Sequence, residues 1–360
     1  MNANDIKFLH SFNTIPGVGP ATLRALYSFF GSYEQAWNAG QAALKEALTE
    51  SRAERIISWK KPSLHPDREM EFLIRSQITI IHEEDPHYPS SLKEIHQPPV
   101  LLYMQGSLYP IPHLAIVGTR RPTTYGREIT ENFARVIANA DVAIVSGLAL
   151  GIDTVAHLTT LDTNGKTVAV LGSGIDQESI FPSENRMLAK KIVEAGGAVI
   201  SEYAPKTPAV KEHFPQRNRI ISGMSLGVLV VEARERSGAL ITTQFALDQN
   251  RDVFAVPGSL FSPTSRGPHR LIQQGAKLVM TPHDLLEEIG ISYTKGAVSG
   301  SHEPLDETEQ IIMTLLEEPL SLDSLKLRMD FPIAMINATL SRLELKGLII
   351  NMGQDTYQKI

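Results

Sequence analysis

The sequence predicts an α/β protein whose central domain is built on a mostly parallel sheet, with helical domains on either side. Two observations carry that reading. From about residue 111 to 290, short β-branched apolar runs alternate with helical stretches, as strands buried on both faces and joined by crossover helices should. Before and after that span the alternation stops, and apolar residues fall at helical spacing instead. A chain of 360 residues has room for two or three domains. The expected division is a helical domain over 1–105, the sheet domain over 106–290, a linker over 291–305 and a small helical domain over 306–360.

The clearest feature of the first segment is FNTIPGVGPATLRALYSFFGS. Ile15, the Pro16-Gly17-Val18-Gly19 turn, and then Leu23, Leu26 and Phe30 describe a tight turn opening an amphipathic helix. This resembles a helix–hairpin–helix element, or a sterile-alpha-motif-like domain. Its turn amides could hold a phosphate, or the unit could simply pack.

The expected strands of the middle segment are LAIVG (114–118), VAIVS (142–146), TVAVL (167–171), GAVIS (197–201), GVLVVEA (227–233) and DVFAVPG (252–258). Helical stretches such as Gly126–Asn139 and Ala239–Asn250 separate them. The stretch ISYTKGAVSGSHEPL carries Gly, Ser and Pro without periodicity, which reads as the linker. Beyond it, three helical patterns precede KGLIINMGQDTYQKI, and the third spaces Ile333, Ile336, Leu340 and Leu343 along one face. The arrangement resembles a winged helix. Its third helix carries Arg342 and Lys346 but also Glu344, few cations for duplex DNA, and a protein contact is an equal use.

Composition narrows the setting. With 42% hydrophobic and 21% charged residues the chain is an ordinary globular protein. It has no cysteine, so disulfides and thiolate metal sites are excluded, which suits a reducing, cytoplasmic setting. MNANDIKFLH lacks the basic-then-apolar pattern of a signal peptide, and no apolar run is long enough to span a membrane. The net charge of −6 excludes a globally basic nucleic-acid binder, but not a basic groove on an acidic body.

The strand ends carry the candidate site. Gly118-Thr119-Arg120-Arg121 follows the first strand, Gly147 and Gly151 the second, Gly172 and Gly174 the third, and Ser237-Gly238 the fifth. In a parallel sheet these turns open on the carboxyl edge, where such folds bind ligands. Glycine admits close backbone approach and helix N-termini present free amides, so the edge suits phosphate. No turn matches the six-residue dinucleotide fingerprint, and none carries the Lys-Ser/Thr of a nucleoside-triphosphate loop. Phosphate binding without a cofactor, metal or catalytic residue is the expectation.

The segment HFPQRNRIISG, His213 to Gly223, adds a second set of cations. On a helix, Arg217 shares its azimuth with Ile220, Ile221 and Met224, while Arg219 points almost oppositely. Arg217 therefore runs along the buried face, where a guanidinium needs an anion: a ligand phosphate, or a permanent internal carboxylate. Glu202 and Glu232 end strands near the crevice and could pair with Arg217 or Arg219, or act as acids. Asp153 and His157, four apart on a helix, read as structural or as an acid/base pair. Phe214 stacks on a base or staples the helix entry.

The succession AIVGTRRPTTYG, VSGLALGIDTVAH, AVLGSGID, SEYAPKTPAVKEHFPQRNRIISGMS, VLVVEARERSGALITT and DVFAVPG resembles the DprA/Smf family (DNA-processing protein A), in order and with matching spacing. The resemblance implies an extended Rossmann-like fold that binds single-stranded DNA and helps load RecA in natural transformation, acting as a homodimer. It implies that Gly118, Thr119, Arg120 and Arg121 form the phosphate-binding turn, and that Phe214, Arg217, Asn218 and Arg219 form a second DNA-contacting segment. Gly147, Gly172, Ser237 and Gly238 complete the expected DNA site. The stretch HRLIQQGAKLV implies dimer contacts at Leu271 and Leu278. Ser183 stands where many members carry a basic residue, and His269 where others often have Asn.

A rival fold resemblance is to the LOG-type nucleotide phosphoribohydrolases, whose GGxGTxxE motif carries a catalytic glutamate. The nearest match here, SGALITTQFA, places Ala246 at that position, which cannot ionise. Hydrolysis is therefore not expected unless Glu232 substitutes.

Overall fold

The computed structural model describes residues 1–59, 65–291, 305–345, 348–353 and 355–359. The chain forms two compact units, Met1–Ser292 and Tyr293–Ile360.

The first unit is organised by a nine-stranded sheet. Its strands are β1 (Thr79–His82), β2 (Leu101–Gly106), β3 (His113–Val117), β4 (Ala143–Ser146), β5 (Thr167–Leu171), β6 (Ala198–Ser201), β7 (Gly227–Val230), β8 (Asp252–Ala255) and β9 (Lys277–Leu278). They lie in the order β1-β2-β6-β5-β4-β3-β7-β8-β9. Strands β3 to β9 pair parallel, whereas β1 with β2 and β2 with β6 are antiparallel. The six expected strands are present, several of them trimmed at an end. Along β5 the side chains alternate as the pleat requires: Val168 and Val170 join a core with Ile220 and Ile221, and Ala169 and Leu171 join another with Leu188 and Ile192.

The boundary expected at residue 105 is corrected by β1 and β2, which the sequence reading had assigned to the helical domain. Leu101 to Met104 is a continuous buried run, and periodicity cannot tell such a run from a helix segment. The N-terminal helices also share their core with the sheet: Leu9 and Phe12, on the helix Ala3–Asn13, cluster with Tyr103, Leu171 and Val199. Polar contacts reinforce the join, with His10 Nδ1 2.7 Å from the Tyr103 hydroxyl and Asn13 Nδ2 donating to the Glu202 carbonyl at 3.0 Å. The glycine turn does open a helix, Pro20–Phe30, with proline at its first position and Gly19 as N-cap. The Arg55 guanidinium donates to the Gly17 carbonyl of that turn at 3.2 Å.

The second unit is a winged helix. Helices Glu307–Leu315, Leu322–Arg328 and Ile333–Leu345 accompany a three-stranded sheet of β10 (Leu320–Ser321), β11 (Ile349–Gly353) and β12 (Thr356–Lys359), in the order β10-β12-β11. Ile336, Leu340 and Leu343 are buried as expected, but Ile333, at the helix start, is exposed. Arg342 is occupied by acidic neighbours, 2.8 Å from Asp306 and 3.6 Å from Glu309. Lys346 and residues 292–304 of the expected linker lie outside the described residues. Among the described residues no helix is long and apolar enough to cross a membrane.

Candidate functional site

Strand order runs outward in both directions from the β3–β7 pair, which makes that pair the topological switch point. Ligands of open α/β sheets bind outside the carboxyl ends at such a point. A cleft of about 680 Å³ lies there. Its wall on the β3 side is Gly118, Thr119 and Arg120, and on the β7 side Arg234, Arg236, Ser237 and Gly238. Phe214, Arg217 and Asn218, from the helix His213–Met224, close it.

Charge decides what this cleft suits. It is lined by five cations, Arg120, Lys211, Arg217, Arg234 and Arg236, against one carboxylate, Asp153. Arg120, Lys211, Arg234 and Arg236 are exposed, and among the described residues none of the four forms an ion pair. Lys211, Arg234 and Arg236 are not among the residues expected from sequence, although Arg234 and Arg236 share the turn of Ser237 and Gly238. For Arg234 and Arg236 position was the available signal, since charges within a few residues of a strand's carboxyl end reach the crevice; Lys211 lies well past β6, just before the helix His213–Met224.

Arg217 is buried, 5% exposed, as its helical azimuth required. Its partners differ from the expected glutamate. Nη1 donates to the Gly147 carbonyl at 2.8 Å and to the Val170 carbonyl, and Nε donates to Asn218 Oδ1 at 3.2 Å. Asp153 supplies the nearby negative charge. Burial pulls the guanidinium down to about 10, against Asp153 and Tyr203, which raise it. It remains charged at neutral pH. Burial raises Asp153, against Arg217 and the amides of Gly147 and Ala149, which donate to its carboxylate at 3.0 and 3.3 Å.

Two glycines serve the protein's own side chains. A Cβ on Gly147 would lie 2.5 Å from Arg217 Nη2, and one on Gly172 would lie 2.9 Å from Phe214 Cδ1. Neither glycine lines the cleft. They let Arg217 and Phe214 pack closely against the strand ends, so the faces of Gly147 and Gly172 that a Cβ would occupy are taken by the protein's own side chains. Phe214 packs on the half-exposed Phe181, ring centroids 5.7 Å apart, and the Arg120 guanidinium sits 6.0 Å from the Phe214 ring. The site thus has an aromatic wall beside its cations. Asn218 donates to the Gly238 carbonyl at 3.2 Å, and the Ser237 hydroxyl caps the helix Gly238–Asp248.

Several expected members lie elsewhere. Arg219 points away from the cleft, its Nη2 donating to both Glu202 oxygens at 2.7 and 2.6 Å. Arg121 is exposed beside the turn but does not line the cleft. Among the described residues Glu232 pairs with no arginine. It is 2% exposed and accepts from the Thr123 amide and hydroxyl at 2.9 and 2.8 Å and from the Thr264 hydroxyl at 2.7 Å. This carboxylate binds the N-cap residue of the helix Thr124–Asn139, where the helix dipole favours a negative charge. Asp153 and His157 do not act together, because His157 Nδ1 meets the Thr167 hydroxyl at 2.7 Å inside the core. Leu271 is a core residue at 7% exposure, whereas Leu278 on the edge strand β9 is 41% exposed. Ser183 is exposed, and His269 Nε2 lies 3.1 Å from the Gly258 carbonyl.

Comparison with known proteins points the same way. Residues 79–290 match the family model of DNA recombination-mediator protein A, and residues 299–353 match that of the DprA winged helix domain. Protein Smf of Synechocystis is 34% identical over 97% of each chain. The DNA processing protein DprA of Bacillus subtilis is 42% identical over 61% of this chain and 74% of its own. The X-ray structure of DprA from Streptococcus pneumoniae superposes with a TM-score of 0.67 at 34% identity, covering 81% of this chain and 99% of that one. The Helicobacter pylori DprA structure, described as having a unique single-stranded DNA binding mode, gives 0.54 at 27% identity over 61% of this chain and 98% of its own.

Proposed function

This chain belongs to the DNA recombination-mediator protein A (DprA/Smf) family, and we propose that it binds single-stranded DNA in the switch-point cleft and helps load RecA onto that strand in natural transformation. The observation that carries the reading is the cleft's five cations against one carboxylate, beside the Phe181–Phe214 wall. Unpaired arginines and a lysine neutralise successive phosphates, and the half-exposed Phe181 ring beside Phe214 offers a sequence-tolerant stacking surface. The cleft offers cations to phosphates and a ring to base faces, so binding should be independent of sequence. The Helicobacter pylori relative is described as binding single-stranded DNA, which supports the assignment.

The protein acts in the cytoplasm without hydrolysis, cofactor or metal. Glu232, the carboxylate that could replace the glutamate of a phosphoribohydrolase, is held away from the cleft by Thr123 and Thr264. Purified protein should retain a single-stranded oligonucleotide against excess duplex of the same length, and should release no adenine from AMP. Preference for duplex, or multiple turnovers of AMP, would overturn the reading.

A homodimer through β9 belongs to the same proposal. Leu278 and Met280 are exposed on the edge strand and just after it, at 41% and 72%. Leu271 takes no part, being core. Leu278→Arg should shift the sedimenting species from dimer to monomer, with stability within about 0.5 kcal/mol of wild type because the site is not buried. A variant that stays dimeric places the interface elsewhere.

A further inference from the structure

The carboxyl edge carries a second feature that the cleft does not use. Between β8 and the helix Arg266–Gln273, a loop presents Leu260 and Phe261, which are 81% and 96% exposed. Adjacent apolar side chains this bare lose the stabilisation of burial, and such exposure usually marks a contact surface. The loop is nonetheless held in shape. The Phe261 amide donates to Ser259 Oγ at 3.3 Å and the Ser262 amide to the Ser259 carbonyl at 3.0 Å. At its base the Tyr125 hydroxyl donates to the Pro257 carbonyl at 2.6 Å, and Thr264 is tied to Glu232.

The loop also adjoins the cleft's cationic wall. The Ala233 amide donates to the Thr264 carbonyl at 2.7 Å, and the Gly267 amide to the Ala233 carbonyl at 2.9 Å. Ala233 immediately precedes the turn whose Arg234 and Arg236 line the cleft. Arg266 stands at the loop's other end, largely exposed, 3.9 Å from Glu235. The loop that carries the exposed ring is therefore tied to the segment leading into Arg234 and Arg236, on the same sheet edge as the first aromatic wall. Cations that follow a backbone, interleaved with rings that take bases, make a surface for a single strand.

We propose that Phe261 is a second base-stacking contact, reached by a single strand that leaves the cleft across Arg234 and Arg236. Leu260 supplies apolar contact beside it. The inference rests on the single-strand reading of the cleft and extends its footprint along the sheet edge. A strand long enough to reach the loop gains this contact, and a strand that only fills the cleft does not.

Binding of oligothymidylates of about 6 and about 20 nucleotides tests this in wild type and Phe261→Ala. The expected result is an affinity about tenfold lower for the longer strand and unchanged for the shorter one. In Phe261→Trp, the longer strand should quench the added indole fluorescence and the shorter should not. Equal affinities of wild type and Phe261→Ala for both lengths, with no quenching, would overturn the proposal while leaving the cleft reading intact, and would turn the loop toward a protein partner. Failure of wild type to bind either length would overturn both.

Discussion

Replacing Arg217 with alanine is expected to destabilise the protein by about 3 kcal/mol and to weaken its hold on a single strand, whereas Arg120→Ala is expected to do only the second. The difference lies in what each guanidinium touches. Arg217 is 5% exposed and satisfies the carbonyls of Gly147 and Val170. Its loss leaves Asp153, 6% exposed, with two amide donors but without its cation. Arg120 is exposed at the turn after β3, where substitutions fall within about 0.5 kcal/mol. Thermal melts without DNA should place Arg217→Ala roughly 6 °C below wild type and Arg120→Ala beside it.

The deficit should also depend on pH, with a sign fixed by Asp153. Its folded-state pKa is raised by burial above the ordinary 3.8, so the folded protein binds its proton more readily than the unfolded chain. The charged form therefore costs stability above that folded pKa, and acid relieves the cost. Removing Arg217 raises the pKa further and enlarges the cost at neutral pH. The gap between the two proteins should narrow as pH falls toward the ordinary carboxylate range. Equal melting temperatures at neutral pH would make Arg217 one more surface phosphate contact. Full binding by a destabilised Arg217→Ala would make it a purely structural cation.

Glu232→Ala is the second large effect expected, a loss of about 2–3 kcal/mol. The carboxylate accepts three hydrogen bonds from Thr123 and Thr264 while almost fully buried. Alanine leaves the Thr123 amide and two hydroxyls without their acceptor. It also unties the turn after β3 from the loop after β8, so affinity for long strands should fall along with stability. Glu232→Gln, which keeps one acceptor oxygen, should lose less of both. A Glu232→Ala protein as stable as wild type would show that water or relaxation replaces the network.

The sequence revealed the alternation that builds the sheet, because strands β3 to β8 are short apolar runs ending in glycine or polar turns. It did not reveal β1 and β2, whose residues sit among helices and whose apolar run has no period of its own. The azimuth argument for Arg217 held because helix geometry fixes which residues share a face. Its partner was misread, because carbonyls at the ends of β4 and β5 and the side chain of Asp153 meet it only in three dimensions. For the same reason Glu232, which follows β7 and neighbours arginines in the sequence, binds threonines instead. Leu271 and Leu278 looked alike in one apolar run, but the first lies on a helix packed into the core and the second on an exposed edge strand.

The most direct test of the cleft as a single-strand site is the salt dependence of oligothymidylate binding. About four phosphate contacts from Arg120, Lys211, Arg234 and Arg236 should give a slope near −3 in log affinity against log salt. Replacing Arg120, Arg234 and Arg236 together by alanine should flatten that slope by about 2. A slope near zero in wild type, or one that the triple substitution leaves unchanged, would contradict the assignment of DNA to this cleft.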